Sequence, residues 1–308
     1  MRNIFLFFIL FILIMLTACN YEWFPVIRDN DPDVISKKAL SIGIYDYRYI
    51  SNIPFCFNDS MDFEIVMGKN KGETEIATLT GNIIRSDILK KIEEFSRKKY
   101  NQDDVFYLHY AGHGGLKDDR AFLAMGDYPR INGSMFYVNE LRVLLDKIPC
   151  KKVILIDACN SEEFTQLSPG KNSGMTDDSQ AFIKNVMKEF SVSGETISRD
   201  GSSDRKSPGY YVMVGCAKNE SSWESAAHKN GLFSFYIFDG LGMSGDENPD
   251  LGFNNSYDAD INSDRNITFD ELYKYVYAKV STKIINGSSD LQHPKVYPAN
   301  SDFVIFKY

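Results

Sequence analysis

The sequence contains no Cys-x-x-Cys pair and no cysteine and histidine spacing suited to a structural metal. That removes zinc ribbons and dithiol redox domains from consideration. A net charge of -8 leaves no surplus of lysine and arginine for a phosphate-binding surface, so a nucleic-acid partner is not expected, whereas basic substrates would suit the acidic balance. No internal repeat is present. No apolar run reaches the roughly 20 residues that a membrane-spanning helix needs. What remains is a chain with 14% aromatic and 25% charged residues, the composition of a globular domain with a sizeable core. A protein of this size needs no disulfides, so Cys56, Cys150 and Cys216 read as free buried thiols.

The N-terminus is set apart. Met1-Arg2-Asn3 is a short charged start, Ile4 to Leu16 is an apolar run of about 13 residues, and Leu16-Thr17-Ala18-Cys19 closes it with small residues before a cysteine. The length fits a signal-peptide core. The pattern resembles a bacterial lipoprotein signal, in which Cys19 becomes the lipidated, palmitate-bearing first residue of an exported, membrane-anchored protein. Asn20 is not the aspartate that some bacteria read as an inner-membrane retention signal, which leaves inner and outer membranes both open. Residues 1–18 then form the signal, 19–37 a Pro- and Asp-rich tether, and 38–308 the domain, about 290 mature residues in all.

Along the domain, apolar runs alternate with helical periods. Ala39 to Tyr45, Val105 to Leu108, Val153 to Ile156, Tyr211 to Gly215 and Phe303 to Phe306 read as strands. Ile83 to Phe95, Val138 to Ile148, Phe233 to Leu241 and Leu272 to Val280 read as helices. This order predicts an α/β fold with a mostly parallel sheet covered on both faces. Residues 162–209 break the pattern with Ser, Asp, Gly, Lys and Thr, and a stretch of that length reads as an exposed linker with a short helix at Ala181 to Phe190.

Two motifs carry chemistry. Tyr110-Ala111-Gly112-His113-Gly114-Gly115 follows one buried strand, and Asp157-Ala158-Cys159-Asn160-Ser161 follows another. Loops leaving strand ends are where α/β folds place reactive groups. A free cysteine has a pKa of about 8.5, so a hydrolase needs a base beside it, and His113 is the natural base for Cys159. Flanking glycines give His113 little to pack against and admit close approach of a substrate backbone. His109 and His113 also form a His-x3-His pair, but that spacing holds zinc on a helix and this segment reads as strand then turn. His228 and His293 read as surface or loop residues.

These motifs resemble the caspase-like superfamily of cysteine peptidases, which includes caspases, metacaspases, legumains, gingipains and clostripain. His113 and Cys159 lie 46 residues apart, against about 50 for the caspase type. Val214 to Glu220 followed by Gly231-Leu232-Phe233-Ser234 is similar to the strand and helix after the linker in bacterial members. The resemblance covers about Leu40 to Tyr308 and implies a three-layer α/β/α sandwich with about six strands. It implies a Cys159–His113 dyad, an oxyanion hole made by the backbone N–H groups of Gly114 and Cys159, protein or peptide substrates, and no cofactor for the chemistry. In clostripain-like and metacaspase relatives an acidic residue at the position of Asp157 receives an Arg or Lys side chain, with Glu220 and Glu224 as further acidic wall residues here. The alternative is that Asp157 only caps the turn. Basic residues in the linker (Lys171, Lys184, Lys188, Arg199, Arg205, Lys206) then become sites of self-cleavage.

Asp260 to Glu271 matches an EF-hand loop, with Asp260, Asn262, Asp264, Asn266 and Glu271 as oxygen ligands for calcium and Ile267 at the apolar position. Arg265 stands where the sharp turn wants glycine. The alternative is a polar turn whose acids favour the following helix N-terminus. Two functional classes result: a lipid-anchored endopeptidase cleaving after Arg or Lys, and a catalytically silent domain of the same fold serving as a binding module. Oligomeric state is not fixed by the sequence.

Overall fold

A computed structural model describes residues 36–101, 103–129, 133–158, 178–191, 209–215, 224–243, 256–282 and 292–308. Its elements in chain order are β1 (Lys37–Ile44), α1 (Cys56–Met67), β2 (Thr74–Gly81), α2 (Arg85–Ser96), β3 (Val105–Ala111), β4 (Gly114–Lys117), β5 (Arg120–Ala124), β6 (Met135–Tyr137), α3 (Val138–Leu145) and β7 (Lys151–Asp157). They continue with α4 (Asp178–Ser191), β8 (Tyr210–Val214), β9 (Glu224–Ser225), β10 (Asn230–Gly231), α5 (Leu232–Gly240), β11 (Asn266–Thr268), α6 (Phe269–Val280), β12 (Lys295–Tyr297) and β13 (Val304–Lys307).

Six strands form the central sheet in the order β12-β8-β7-β3-β1-β2. All neighbours are parallel except β12, which runs antiparallel to β8. The period of two in these strands builds two cores. One face presents Leu40, Ile42, Phe106, Leu108, Tyr110, Ile154, Ile156 and Val212 to α2, α3 and α4. The other presents Ala39, Val105, Tyr107, Val153, Leu155, Tyr211 and Met213 to α1, α5 and α6. With both faces covered, the strands are continuously apolar, and the result is the mostly parallel covered sheet that the element order predicts and the three-layer α/β/α sandwich that the resemblance implies.

Helix placement follows side-chain spacing. Ile88, Ile92 and Phe95 form the buried stripe of α2, and Leu272, Val276 and Val280 that of α6. At the start of α6, Thr268 and Glu271 close a capping box. α1 is different: its buried side includes Asp59, Ser60 and Asp62. Among the described residues no helix is long and apolar enough to cross a membrane.

Several expectations need correction. β1 begins at Lys37, inside the stretch read as tether, because Lys37 and Lys38 pair with both β2 and β3. The last strand, β13, leaves the central sheet and pairs antiparallel with β11, and the sixth central strand is β12. The stretch 162–209 is not uniformly an exposed linker. Within it, α4 buries Phe182, Val186 and Phe190 against the sheet, which contributes on the order of 1.5–3 kcal/mol for each large side chain.

Candidate active site

β3 and β7 are adjacent and parallel, with Ala111 opposite Asp157. The N–H of Gly112 donates to the carbonyl of Asp157 at 3.2 Å, extending the ladder one residue past the end of β3. His113 lies two residues beyond Ala111, and Cys159 two residues beyond Asp157. The two motifs therefore leave the same end of neighbouring strands at the same level. Cys159, Glu220, Cys19 and Cys216 lie outside the described residues.

His113 is buried and held by its backbone as well as its ring. Its N–H donates to the Tyr47 hydroxyl at 2.8 Å, and its carbonyl accepts from the Tyr110 hydroxyl at 2.8 Å and from the Ala124 N–H at 2.9 Å. Nε2 lies 3.0 Å from the Ser51 carbonyl, and the ring packs at 4.8 Å against Tyr47. A carbonyl only accepts, so Nε2 carries the hydrogen and the neutral ring has its lone pair on Nδ1. Burial, reinforced by Tyr110, holds the Tyr47 phenol well above its usual value, so it stays a neutral clamp.

The flanking glycines have a packing reason. A Cβ on Gly112 would lie 2.7 Å from the Tyr110 hydroxyl and 2.8 Å from that of Tyr47. One on Gly114 would lie 3.0 Å from Phe182 Cζ and 3.2 Å from the Ala158 Cβ. The His113 loop is thus pressed onto its own clamp and onto the residue leading to Cys159.

Asp157, at the end of β7, is buried, and its Oδ2 accepts from both the N–H (3.1 Å) and the hydroxyl (2.7 Å) of Ser234 on α5. It belongs to an acidic cluster that sequence reading did not assemble. Asp59, buried on α1, accepts from the Gly231 N–H at 2.9 Å, and the Asn230 amide bridges Asp59 (3.1 Å) and Asp62 (2.8 Å). Glu224, half-buried on β9, accepts from the Phe55 N–H at 2.8 Å at the start of α1.

The charges in this cluster act on one another. Burial, then the charge of Asp157, pushes the Asp59 carboxyl well above the usual carboxylate range. Burial pushes Asp62 up to about 6, and burial followed by Asp157 also raises Glu224. None of the ion pairs among the described residues engages Asp59, Asp62 or Glu224. Cys56 sits in the same field: burial and then Asp59, Asp157 and Glu224 raise its thiol far above the ordinary value, so it stays protonated and inert. Cys56 and Cys150 are both free thiols, the first buried and the second half-buried.

The remaining sequence candidates are placed as follows. His109 is fully buried in β3, bonded to Ser41 and Ser234. His228 lies in the turn between β9 and β10, stacked 3.9 Å from Phe235. In the Asp260 loop, Arg265 adopts φ 66, the left-handed geometry glycine would favour. Asp260 accepts from the Asp264 and Arg265 N–H groups and the Tyr308 hydroxyl. Glu271 faces Thr268 in the capping box. Among the described residues no group of three or more His, Cys, Asp or Glu side chains is arranged to hold a metal ion.

A model of the Caspase domain family matches residues 36–299. The chain belongs to the caspase-domain family. Among solved structures, the caspase domain resembles caspase-1 from Spodoptera frugiperda, with a TM-score of 0.55, 15% identity and coverage of 88% of each chain. A protein from Geobacter sulfurreducens matches with a TM-score of 0.51 and 15% identity, covering 86% of this chain and 93% of that one. No curated protein matches in sequence. The family supports a cysteine-peptidase function for this caspase domain, and the structural neighbours share its fold.

Proposed function

We propose that this caspase domain is a cysteine endopeptidase in which Cys159 attacks the scissile carbonyl and His113 protonates the leaving amine. The observation that carries the reading is the shared register of β3 and β7, which sends the two motifs off one sheet end side by side. With Nε2 directed to Ser51, the Nδ1 lone pair is the base available to a thiol. The backbone N–H groups of Gly114 and Cys159 are assigned to the developing oxyanion.

Arg or Lys is the side chain that suits the acidic cluster. Burial and the charge of Asp157 push Asp59 and Glu224 toward their neutral forms, the mark of surplus negative charge around Asp157, which a cationic side chain relieves and a neutral or acidic one does not. A fluorogenic panel with Arg, Lys, Asn or Asp at P1, run on wild type and Cys159→Ala, tests both parts. Turnover of the basic substrates alone, lost in the variant, is expected. No turnover of any substrate, before or after limited proteolysis of residues 162–209, would favour a silent binding module instead.

Self-cleavage in that stretch is part of the same proposal, restricted by α4. Lys184 and Lys188 are exposed but helical, and a helix must unwind to enter a site that binds extended chain. Lys171, Arg199, Arg205 and Lys206 are the assigned sites. Export and lipid anchoring at Cys19 complete the proposal. Metabolic labelling with palmitate should mark wild type and not Cys19→Ala; equal labelling of both would remove the anchor.

A further inference from the structure

A hydrogen-bonded file of side chains runs along one face of the sheet, the face covered by α1 and α5, from β1 to the carboxylate beside the nucleophile. Ser41 Oγ lies 3.2 Å from His109 Nδ1, His109 Nε2 lies 3.2 Å from Ser234 Oγ, and the Ser234 hydroxyl donates to Asp157 Oδ2 at 2.7 Å. Ser41 and His109 are directly opposed on β1 and β3, and Ser234 is in the first turn of α5. An ionised carboxylate accepts only, so the single Ser234 hydrogen goes to Asp157 and its oxygen must accept from His109 Nε2–H. Nδ1 then accepts from the Ser41 hydroxyl. Every hydrogen in the file has one direction.

His109 suits this role because it does not titrate in the working range. Burial lowers its pKa to about 3, and Phe63 stacks on it at 4.9 Å while Phe238 meets it edge-on at 5.8 Å. It is a neutral donor of fixed orientation.

We infer that Ser41, His109 and Ser234 are positioning residues for Asp157, directing one carboxylate oxygen and favouring its charged form so that it receives a basic P1 side chain. This rests on the assignment of Asp157 to P1 recognition. Charge-assisted hydrogen bonds of this kind are worth roughly a factor of ten or more in affinity. Because P1 binding is made alike in ground and transition states, its loss falls on KM.

The test is steady-state kinetics on a substrate pair with Arg or its uncharged isostere citrulline at P1, with thermal melts to monitor folding. Ser234→Ala is expected to raise KM for the Arg substrate about tenfold, leave kcat within about twofold and narrow the Arg-over-citrulline preference about tenfold. His109→Phe, which keeps the aromatic volume and removes the donor, should act in the same direction. Ser234→Thr and His109→Gln, which restore a hydroxyl and an N–H at the same reach, should recover the preference. A wild type that prefers Arg, with folded Ser234→Ala and His109→Phe variants that keep its full preference, would overturn the positioning role alone. A wild type that does not distinguish Arg from citrulline would overturn the basic-P1 assignment and this inference with it.

Discussion

Replacing Asp62 by asparagine should stabilise the protein at neutral pH. Burial lifts the Asp62 carboxyl from 3.8 to about 6, so between those values the folded state binds more protons than the unfolded chain. Stability therefore falls as pH rises through this window, and by about pH 7 the loss is complete. At about 1.4 kcal/mol per tenfold change in protonation preference, the full effect is about 3 kcal/mol, and about 1 kcal/mol of it is already present at pH 4.5. Asparagine keeps the shape and an oxygen for the Asn230 amide, which donates to Asp62 at 2.8 Å, while removing the charge. Urea unfolding of both proteins at pH 7.5 and pH 4.5 measures the difference. The variant should be ahead by about 3 kcal/mol at the higher pH and by about 1 kcal/mol at the lower. A variant less stable than wild type at pH 7.5, or a gap equal at the two pH values, would refute the reasoning.

Other perturbations reach the site by different routes. Tyr47→Phe leaves the buried His113 N–H without its acceptor at a cost of about 1–3 kcal/mol, and kcat should fall more than KM rises; unchanged kcat would remove Tyr47 from the support of His113. Gly114→Ala should lower the melting temperature by pressing on Phe182, and Phe182→Leu in the same chain should recover part of the loss; failure of the second change to help would place the conflict elsewhere. Asp260→Ala removes an acceptor shared by two backbone N–H groups and Tyr308, so it should destabilise equally in calcium and in chelator, and a wild-type melt that rises with calcium would contradict this structural role. Replacing Lys184 and Lys188 together should leave any self-cleavage pattern unchanged, because both sit on α4, and loss of a fragment would show that α4 unwinds.

What was legible in the sequence follows from where packing and chemistry agree. β3 and β7 could be read because both faces are covered, which makes Val105 to Leu108 and Val153 to Ile156 continuously apolar. α1 could not: Asp59, Ser60 and Asp62 face inward, so the apolar period that marks a helix is broken where the helix meets the acidic cluster. The one signal was an acidic pair, Asp59 and Asp62, at helical spacing. Tyr47 is one of three tyrosines in Tyr45-Asp46-Tyr47-Arg48-Tyr49, and nothing local separates the one that meets His113 from its neighbours. β13 reads as a strand from its apolar run, but its partner β11 is three residues of Asn-Ile-Thr, too short and polar to announce a separate sheet.

The opposed positions of Ala111 and Asp157 also determine where this chain tolerates change. The distance between the two motif loops depends on neighbouring rungs of one ladder, so the route the chain takes between them is free to lengthen. Residues inserted at the exposed Asp118-Asp119 tip between β4 and β5 would extend that excursion while leaving both loops in place. A single residue inserted within β3 would turn every later side chain of that strand to the opposite face and carry His113 out of step with the end of β7. Length variation in this protein belongs in the excursions, and the strands that launch the two loops must keep their count.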